Sequence, residues 1–286
     1  MAEPAPDAPV DPMVSTEWLA RRLGDPGVRV VDATLPLVGQ PGHGRDSYAA
    51  GPIPGAVFFD INAIADPDTD LPHMLPSPAA FAQAAGELGL GGDATIVVYD
   101  AHGIYSAPRV WWTLRAMGHE DVFVLDGGLK KWVAEGRPVE TAAAQPARAQ
   151  RPLAFQPDLV ADIADVTEVL ASGAAQVLDA RSAARFRGET PEPRASLRSG
   201  HMPGALNLPF NEAVNPDGTL KSADELRTIF AHIDLTRPII TTCGSGVTAS
   251  VLALALARLG RFDVAVYDGS WTEWGGRSDT AVVTGD

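Results

Sequence analysis

The chain contains a single cysteine, Cys243, within the sequence TTCGSGVTAS (241–250). A lone cysteine is often a small apolar core residue, and composition alone leaves that interpretation open. The neighbouring residues favour a chemical role, because Gly244, Ser245 and Gly246 predict a tight turn in which the backbone can approach a bound sulfur or oxyanion. A thiolate in such a turn is a nucleophile suited to covalent group transfer.

The segments on either side of Cys243 predict a strand, a turn and a helix. Pro238, Ile239 and Ile240 form a short run typical of a buried parallel strand. Residues 247–259 (VTASVLALALARL) are apolar on nearly every face, which predicts a buried helix that ends at Gly260. Backbone N–H groups at a strand-to-helix turn, together with the helix dipole, bind anions and therefore favour a thiolate.

Composition and charge disfavour several classes of function. The chain has 286 residues, of which 45% are hydrophobic and 20% charged, and its formal net charge is −14. These values are typical of a globular protein with two domains, and the charge disfavours nucleic acid and anionic membranes as partners. The N-terminal sequence MAEPAPDAPVDPM is acidic and proline-rich, which predicts a disordered lead and a cytoplasmic protein rather than a signal peptide.

Two other uses of a reactive cysteine fit the sequence poorly. A cysteine phosphatase carries an arginine six residues after its cysteine, whereas residue 249 is alanine. Six scattered histidines and one cysteine provide no cluster with the spacing of metal ligands, so we expect neither a metal ion nor a cofactor.

Five arginines are concentrated in one short segment of this acidic chain. They are Arg181, Arg185, Arg187, Arg194 and Arg198. A solvated charged face would explain several of them. A small anionic substrate would also need such a local positive site.

The chain consists of two related halves. The sequence DVFVLDGGLKKW from Asp121 matches DVAVYDGSWTEW from Asp263, and IVVYDA ending at Ala101 matches PIITTC ending at Cys243. Strand-like and helix-like segments alternate in each half, which predicts two α/β domains with mostly parallel sheets flanked by helices. The alignment puts Ala101 at the position of Cys243, so only the second half would carry the nucleophile.

The repeat also predicts the domain organisation. We expect a disordered lead at 1–13, an N-terminal domain without the catalytic cysteine at 14–140, a linker at 141–157 and a C-terminal catalytic domain at 158–286. The motifs VVDA from residue 30 and VLDA from residue 177 also correspond. The first half is longer within a polar, proline-rich loop that contains His73. Two such halves packed face to face would form a cleft.

Several motifs, taken in order, carry a family resemblance. They are IPGA, YSAPRVWW, LDGGLKKW, PEPR, GHMPGALN, CGSGVTAS and YDGSWTEW. From about residue 15 to about residue 277 the chain resembles the tandem-domain rhodanese-family sulfurtransferases, and within them the 3-mercaptopyruvate sulfurtransferases. The resemblance implies a rhodanese-like fold in each half. It also implies transfer of sulfur from 3-mercaptopyruvate, through a persulfide on Cys243, to a thiol, a thioredoxin-like protein or cyanide, with release of pyruvate.

The resemblance assigns site residues as well. It gives catalytic roles to Cys243, Ser245 and His73, and substrate-binding positions to Arg185, Arg194, Gly244, Gly246, Val247 and Thr248. The two arginines match residues that bind the donor's carboxylate, which a planar guanidinium can hold with two hydrogen bonds. Ser245 can bond the donor's ketone oxygen or relay a proton, or it can cap the helix that follows. His73 matches a histidine that the family places near this serine from the other domain.

The loop residues bear on the choice of donor. Thiosulfate-using relatives tend to have basic residues after the cysteine, whereas this chain has the neutral Gly244 and Ser245, which favours 3-mercaptopyruvate. A thiosulfate:cyanide sulfurtransferase and a non-catalytic module that carries sulfur or binds a partner are the alternatives. Two positions depart from the family pattern: Asn62 replaces an acidic residue and Pro52 a histidine. Asn62 can orient His73 by a hydrogen bond but cannot supply a charge.

Overall fold

The computed structural model describes residues 11–91, 94–140, 147–149 and 154–286. The described residues form two five-stranded sheets in which all neighbouring strands are parallel. Each sheet has helices on both faces, so the predicted α/β class with two repeated domains is confirmed.

The N-terminal domain contains the first sheet, in the order β1-β5-β4-β2-β3. Its strands are β1 (Met13–Val14), β2 (Val28–Asp32), β3 (Val57–Phe58), β4 (Thr95–Tyr99) and β5 (Val122–Leu125). Its helices are α1 (Thr16–Ala20), α2 (Gly44–Ala50), α3 (Pro78–Glu87), α4 (Ala107–Ala116) and α5 (Gly128–Ala134). Successive residues of the central strands point to opposite faces, so Val97 and Val98 belong to two different cores.

The C-terminal domain repeats this arrangement in the order β6-β10-β9-β7-β8. Its strands are β6 (Val160–Ala161), β7 (Gln176–Asp179), β8 (Leu206–Asn207), β9 (Ile239–Thr242) and β10 (Ala265–Tyr267). Its α-helices are α6 (Ile163–Ser172), α7 (Ala183–Phe186), α8 (Ala223–Ile229), α9 (Ala249–Arg258) and α10 (Ser270–Trp274). Short 3₁₀ helices cover Pro157–Leu159 and Phe210–Ala213.

Helices α4 and α9 pack against each other and join the two domains. All residues of α9 from Ala249 to Ala257 are buried, because one side of this helix faces its own sheet and another side faces α4. A helix covered in this way carries apolar residues all round, which explains the sequence of residues 247–259. The two domains therefore share one large hydrophobic core.

Parts of the predicted lead and linker lie outside the described residues, namely 1–10, 141–146 and 150–153. Strand β1 begins at Met13, the last residue of the predicted lead, and pairs with β5. The backbone N–H of Ala149 donates to Gly86 O at 3.1 Å, and that of Gln156 to Ala116 O at 2.7 Å. The described part of the connecting segment thus lies against the N-terminal domain. Among the helices described, none combines the length and the apolar character that a membrane crossing requires.

Candidate active site

Cys243 directly follows β9 and is only 2% exposed. Its backbone N–H donates to Ser270 Oγ at 3.3 Å, and its carbonyl accepts the N–H of Trp271 at 3.0 Å. The next carbonyl, of Gly244, accepts both the N–H and the hydroxyl of Thr272, at 2.9 and 3.0 Å. The start of α10 therefore holds the backbone of this turn on one side.

The other side of the turn presents backbone donors. Within the described ranges, no residue accepts a hydrogen bond from the N–H groups of Ser245, Val247 or Thr248, all three of which line a cavity next to Cys243. Gly246 completes the turn with a φ of +76°, a conformation that favours glycine. These N–H groups are available to an anion, and the sequence-based prediction of an anion-binding nest at this turn stays a prediction.

The cavity lies between the two domains and has a volume of about 580 Å³. The C-terminal domain contributes Cys243, Arg185 and Arg194, whereas the N-terminal domain contributes residues 35–40 and His73. The domain without the cysteine therefore forms one wall of the site.

Ser245 and His73 meet across the domain interface. Ser245 Oγ lies 3.1 Å from Nδ1 of His73, within hydrogen-bonding distance. Burial, assisted by the charges of Arg109 and Arg194, lowers the pKa of His73 to about 4, so its imidazole is neutral at pH 7. Ser245 therefore bonds His73 rather than capping α9. The structure shows no hydrogen bond from the side chain of Asn62 to His73 among the residues it describes, although both line the cavity.

The arginine cluster divides into structural and cavity-lining members. Arg181 is fully buried and pairs with Asp179 and Glu192 at 2.7 and 2.9 Å. Arg185 reaches the cavity and is held by two hydrogen bonds to the same Glu192. Arg194 also lines the cavity, is exposed, and forms no ion pair with any described residue. Two guanidinium groups, one fixed and one free, thus face the turn of Cys243.

The other two arginines stabilise the surface of the domain. Arg187 pairs with exposed Glu189 at 2.7 Å, and Arg198 donates to the carbonyls of Trp274 and Thr280. Neither contributes to the cavity.

The structure brings most of the predicted site residues to this one cavity. They are Cys243, Gly244, Ser245, Val247, Thr248, Arg185, Arg194 and His73. Gly246 lies behind the turn, against Arg109. Sequence reasoning missed Tyr105 and the wall at 35–40, because their place in the site depends on how the domains face each other.

The sequence match that put Ala101 at the position of Cys243 is wrong by one residue. Asp179 pairs with Thr242 in the second sheet, and the corresponding Asp32 pairs with Tyr99 in the first. The residue that follows is Cys243 in one domain and Asp100 in the other, so Asp100 and not Ala101 stands at the position of Cys243. The ungapped match fails because the turn before α4 is one residue longer than the turn before α9.

The site shows no ligand set for a metal. Across the parts of the chain that are described, no group of three or more histidine, cysteine, aspartate or glutamate side chains is placed to hold a metal ion. The reactive groups on hand are one thiol, one serine hydroxyl, one neutral imidazole and two guanidinium groups.

The chain is similar to known proteins over most of its length. The Rhodanese-like domain family matches residues 15–135 and again 162–277. The chain is 46% identical over 272 residues to 3-mercaptopyruvate sulfurtransferase of Escherichia coli K12, covering 94% of this chain and 96% of the relative. It is 43% identical over 271 residues to thiosulfate sulfurtransferase of Bos taurus, covering 92% and 91%. A crystal structure of SseA, a 3-mercaptopyruvate sulfotransferase from Escherichia coli, superimposes with a TM-score of 0.83 at 44% identity, covering 91% of this chain and 98% of that one.

Proposed function

The chain belongs to the rhodanese family, and on that premise we propose that it transfers sulfur from 3-mercaptopyruvate, through a persulfide on Cys243, to a thiol or to cyanide. It is a sulfurtransferase. The observation that carries the proposal is the position of Cys243. It lies in a turn whose backbone N–H groups at Ser245, Val247 and Thr248 have no acceptor among the described residues, and it shares one cavity with Arg185 and Arg194.

The first half-reaction consumes the donor. The Cys243 thiolate attacks the sulfur of 3-mercaptopyruvate, the new S–S bond forms and the donor's C–S bond breaks. The electron pair of that bond moves onto the carbon and the ketone oxygen, which gives the enolate of pyruvate. The proton of the donor's thiol ends on this carbon, so pyruvate leaves and the enzyme keeps a persulfide anion. The backbone N–H groups of Ser245, Val247 and Thr248 can stabilise this anion.

The second half-reaction regenerates the enzyme. An acceptor thiol attacks the outer sulfur of the persulfide, and the S–S bond to Cys243 breaks. The acceptor leaves as a persulfide that keeps its proton, and Cys243 returns to the thiolate. A small thiol or a thioredoxin-like protein fits this step. Such acceptors must be kept reduced, which fits a reducing compartment such as the cytoplasm.

Ser245 and His73 serve proton movement in this scheme. In the tautomer that carries its proton on Nε2, the neutral imidazole of His73 accepts the Ser245 hydroxyl proton at Nδ1. The serine oxygen can then pass a proton between the donor's thiol and the enolate. Among the described residues no carboxylate forms a hydrogen bond with the His73 ring, so the pair works through a neutral hydrogen bond.

Arg185 and Arg194 hold the donor's carboxylate in this proposal. Arg185 is oriented in advance by Glu192, which lowers the entropy lost when a ligand binds. Arg194 supplies a charge that no described acidic side chain neutralises. Together they place positive charge at a distance from the reacting sulfur, which suits a donor whose carboxylate lies a few bonds from its thiol.

Thiosulfate is the second candidate donor, because the bovine relative at 43% identity is named for it. A sulfonate next to the transferred sulfur would need positive charge within the turn, where Gly244 and Ser245 are neutral. We therefore expect kcat/KM for 3-mercaptopyruvate to exceed that for thiosulfate by at least about tenfold in parallel steady-state assays. Replacing Gly244 by Arg and Ser245 by Lys should narrow this ratio. Equal or better turnover of thiosulfate by the unmodified protein would replace the proposed donor.

A further inference from the structure

Two buried charged residues join the domains beside the contact between Ser245 and His73. Arg109, on α4, is 2% exposed, and its Nη2 donates to Asp268 Oδ1 at 2.6 Å and to the carbonyl oxygen of His73. Asp268, the residue after β10, also accepts the backbone N–H of Leu75 at 2.7 Å. Arg109 and Asp268 therefore hold both ends of the short segment 73–75.

The same guanidinium lies against the turn that carries Ser245. A Cβ built on Gly246 would lie 2.5 Å from Nη1 of Arg109, so this atom packs directly on the backbone of the turn. Nη1 has no hydrogen-bond acceptor among the described residues, and the guanidinium carbon is 4.5 Å from the ring centre of Trp112. One side chain thus touches both the segment that carries His73 and the turn that carries Ser245.

The segment with His73 needs such support. His73 has a φ of +67°, which is uncommon for a residue with a side chain and persists only where the surroundings impose it. Among the described residues, three contacts hold the backbone of this segment: Arg109 bonds the carbonyl of His73, Asp268 bonds the N–H of Leu75, and the N–H of Asp66 donates to the carbonyl of Met74 at 3.0 Å. Only the contacts from Arg109 and Asp268 come from the buried charged pair, because the bond between Asp66 and Met74 lies within the loop itself. Loss of that pair should therefore let the imidazole shift relative to the turn.

We propose that Arg109 and Asp268 are positioning residues that set the distance between Ser245 and His73 across the domain interface. This inference rests on the proposed function only in the effect that the contact between Ser245 and His73 has on turnover. The Arg109 charge also adds to burial in keeping the His73 imidazole neutral, because it lowers the pKa of that group.

The repeated fold supplies a matched control on the opposite side of the interface. Asp126, the residue after β5, accepts the backbone N–H of Leu220 at 2.8 Å and lies 3.7 Å from Arg258. It therefore ties the domains together as Asp268 does. Neither Asp126 nor Leu220 lines the cavity, so losing this contact should affect stability and leave catalysis unchanged.

The first test is a double-mutant cycle between Arg109 and Ser245. Arg109→Lys keeps the charge but loses the planar fork, and we expect kcat with 3-mercaptopyruvate to fall about tenfold or more with little change in KM. In the Ser245→Ala background the same substitution should cause little further loss, because the contact it positions is already gone. An equal loss in both backgrounds would contradict the proposal.

A second pair of variants separates positioning from general stability. Asp268→Asn and Asp126→Asn should lower Tm by similar amounts, because each weakens a contact between the domains. Only Asp268→Asn should also lower kcat in the folded protein. An equal loss of kcat in both would show that any weakening of the interface suffices, and the specific role would be lost.

A third measurement needs no donor. The ¹⁵N resonances of the His73 ring report its hydrogen bond in the resting protein, and we expect Arg109→Lys and Asp268→Asn to shift them while Asp126→Asn leaves them in place. If the unmodified protein fails to use 3-mercaptopyruvate, the proposed donor is wrong and this measurement still decides the positioning role. Unchanged His73 resonances in folded Arg109→Lys would overturn that role.

Discussion

The same strand, turn and helix occur twice in this molecule, and the two turns differ in what fills them. After β4 the buried carboxylate of Asp100 accepts backbone N–H groups of its own turn at 2.8–2.9 Å. The donors are His102, Tyr105, Ser106 and Ala107. After β9 the corresponding residue is Cys243, and the N–H groups of Ser245, Val247 and Thr248 have no acceptor within the described residues.

This comparison indicates what the turn is for. Both copies gather backbone donors that favour a negative charge. In the N-terminal domain the protein supplies that charge itself, from Asp100, whose carboxylate already accepts the N–H groups of the turn. In the C-terminal domain the donors remain available for a thiolate and for the sulfur that the proposed mechanism places on it. We infer that replacing a thiol by a carboxylate converts a reactive turn into a structural one.

The largest expected effect comes from making the two turns alike. Cys243→Ser and Cys243→Asp should each lower turnover by at least about a thousandfold, because neither side chain can form a persulfide. Cys243→Asp should also have the higher Tm of the two, since its carboxylate can accept the free N–H groups as Asp100 does. Activity assays and thermal unfolding check both expectations. A folded Cys243→Ser protein with substantial activity would contradict the assignment.

Removing the charge from the N-terminal turn should mainly affect stability. Asp100→Asn replaces one accepting oxygen by an N–H donor that faces other donors, and we expect a loss of about 2–4 kcal/mol in the free energy of unfolding. Asp100 does not line the cavity, so kcat/KM of the folded variant should stay close to that of the unmodified protein. Asp234→Asn, at an exposed turn, is the control and should cost much less. Urea unfolding measures the difference, and equal losses would argue against a special role for Asp100.

A second pair of equivalent residues differs in how its charge is balanced. Asp179 is paired with Arg181, whereas the corresponding Asp32 has Thr34 two residues later. Burial raises the pKa of Asp32 from 3.8 to about 6, with Asp100 nearby adding to the effect. The folded state therefore binds the proton more tightly than the unfolded chain, and stability is lost as pH rises from about 4 through about 6.

Asp32→Asn should remove this dependence. We expect the variant to be more stable than the unmodified protein above pH 6, by about 3 kcal/mol, and to lose that advantage near pH 4. Urea unfolding at several pH values checks the expectation. An unchanged pH dependence in the variant would show that Asp32 is not the group responsible.

Arg185 and Arg194 line the cavity beside the turn of Cys243 and are proposed to bind the donor's carboxylate. Arg185→Ala and Arg194→Ala should each lower kcat/KM for 3-mercaptopyruvate by about tenfold to a hundredfold, since each removes one charged hydrogen bond to the carboxylate. The loss should lie mainly in KM, because the carboxylate is held equally in the ground state and the transition state. Arg187→Ala is the control, as its partner is the exposed Glu189 and it lies outside the cavity. Unchanged kinetics in both cavity variants would place the carboxylate elsewhere.

Strands, turns and helices that depend on residues close together in the chain could be predicted from the sequence. The β-branched run, the glycines and the apolar segment after Cys243 predicted a strand, a turn and a buried helix, and the structure has them as Ile239–Thr242 and Ala249–Arg258. The repeated motifs predicted two similar sheets. These elements depend on neighbouring residues, so their signals lie close together in the chain.

Features that depend on the packing of one domain on the other could not be predicted. The contact of Arg109 with Asp268 joins residues far apart in sequence, and nothing at either position marks the other. The equivalence of Asp100 and Cys243 was missed because one additional residue in the first turn shifts the ungapped match. The strand registers settle this alignment, since hydrogen bonding between strands does not depend on loop length.

We expect the turn after β9 to carry sulfur on Cys243 and the equivalent turn at Asp100 to carry none. Intact-mass measurement after incubation with 3-mercaptopyruvate, without acceptor or reductant, tests it most directly. We expect the unmodified protein to gain one sulfur atom, located by peptide mapping on Cys243 and removed by dithiothreitol or cyanide, while Cys243→Ser gains none. A protein that releases pyruvate without gaining sulfur, or a Cys243→Ser variant that gains it, would contradict the claim.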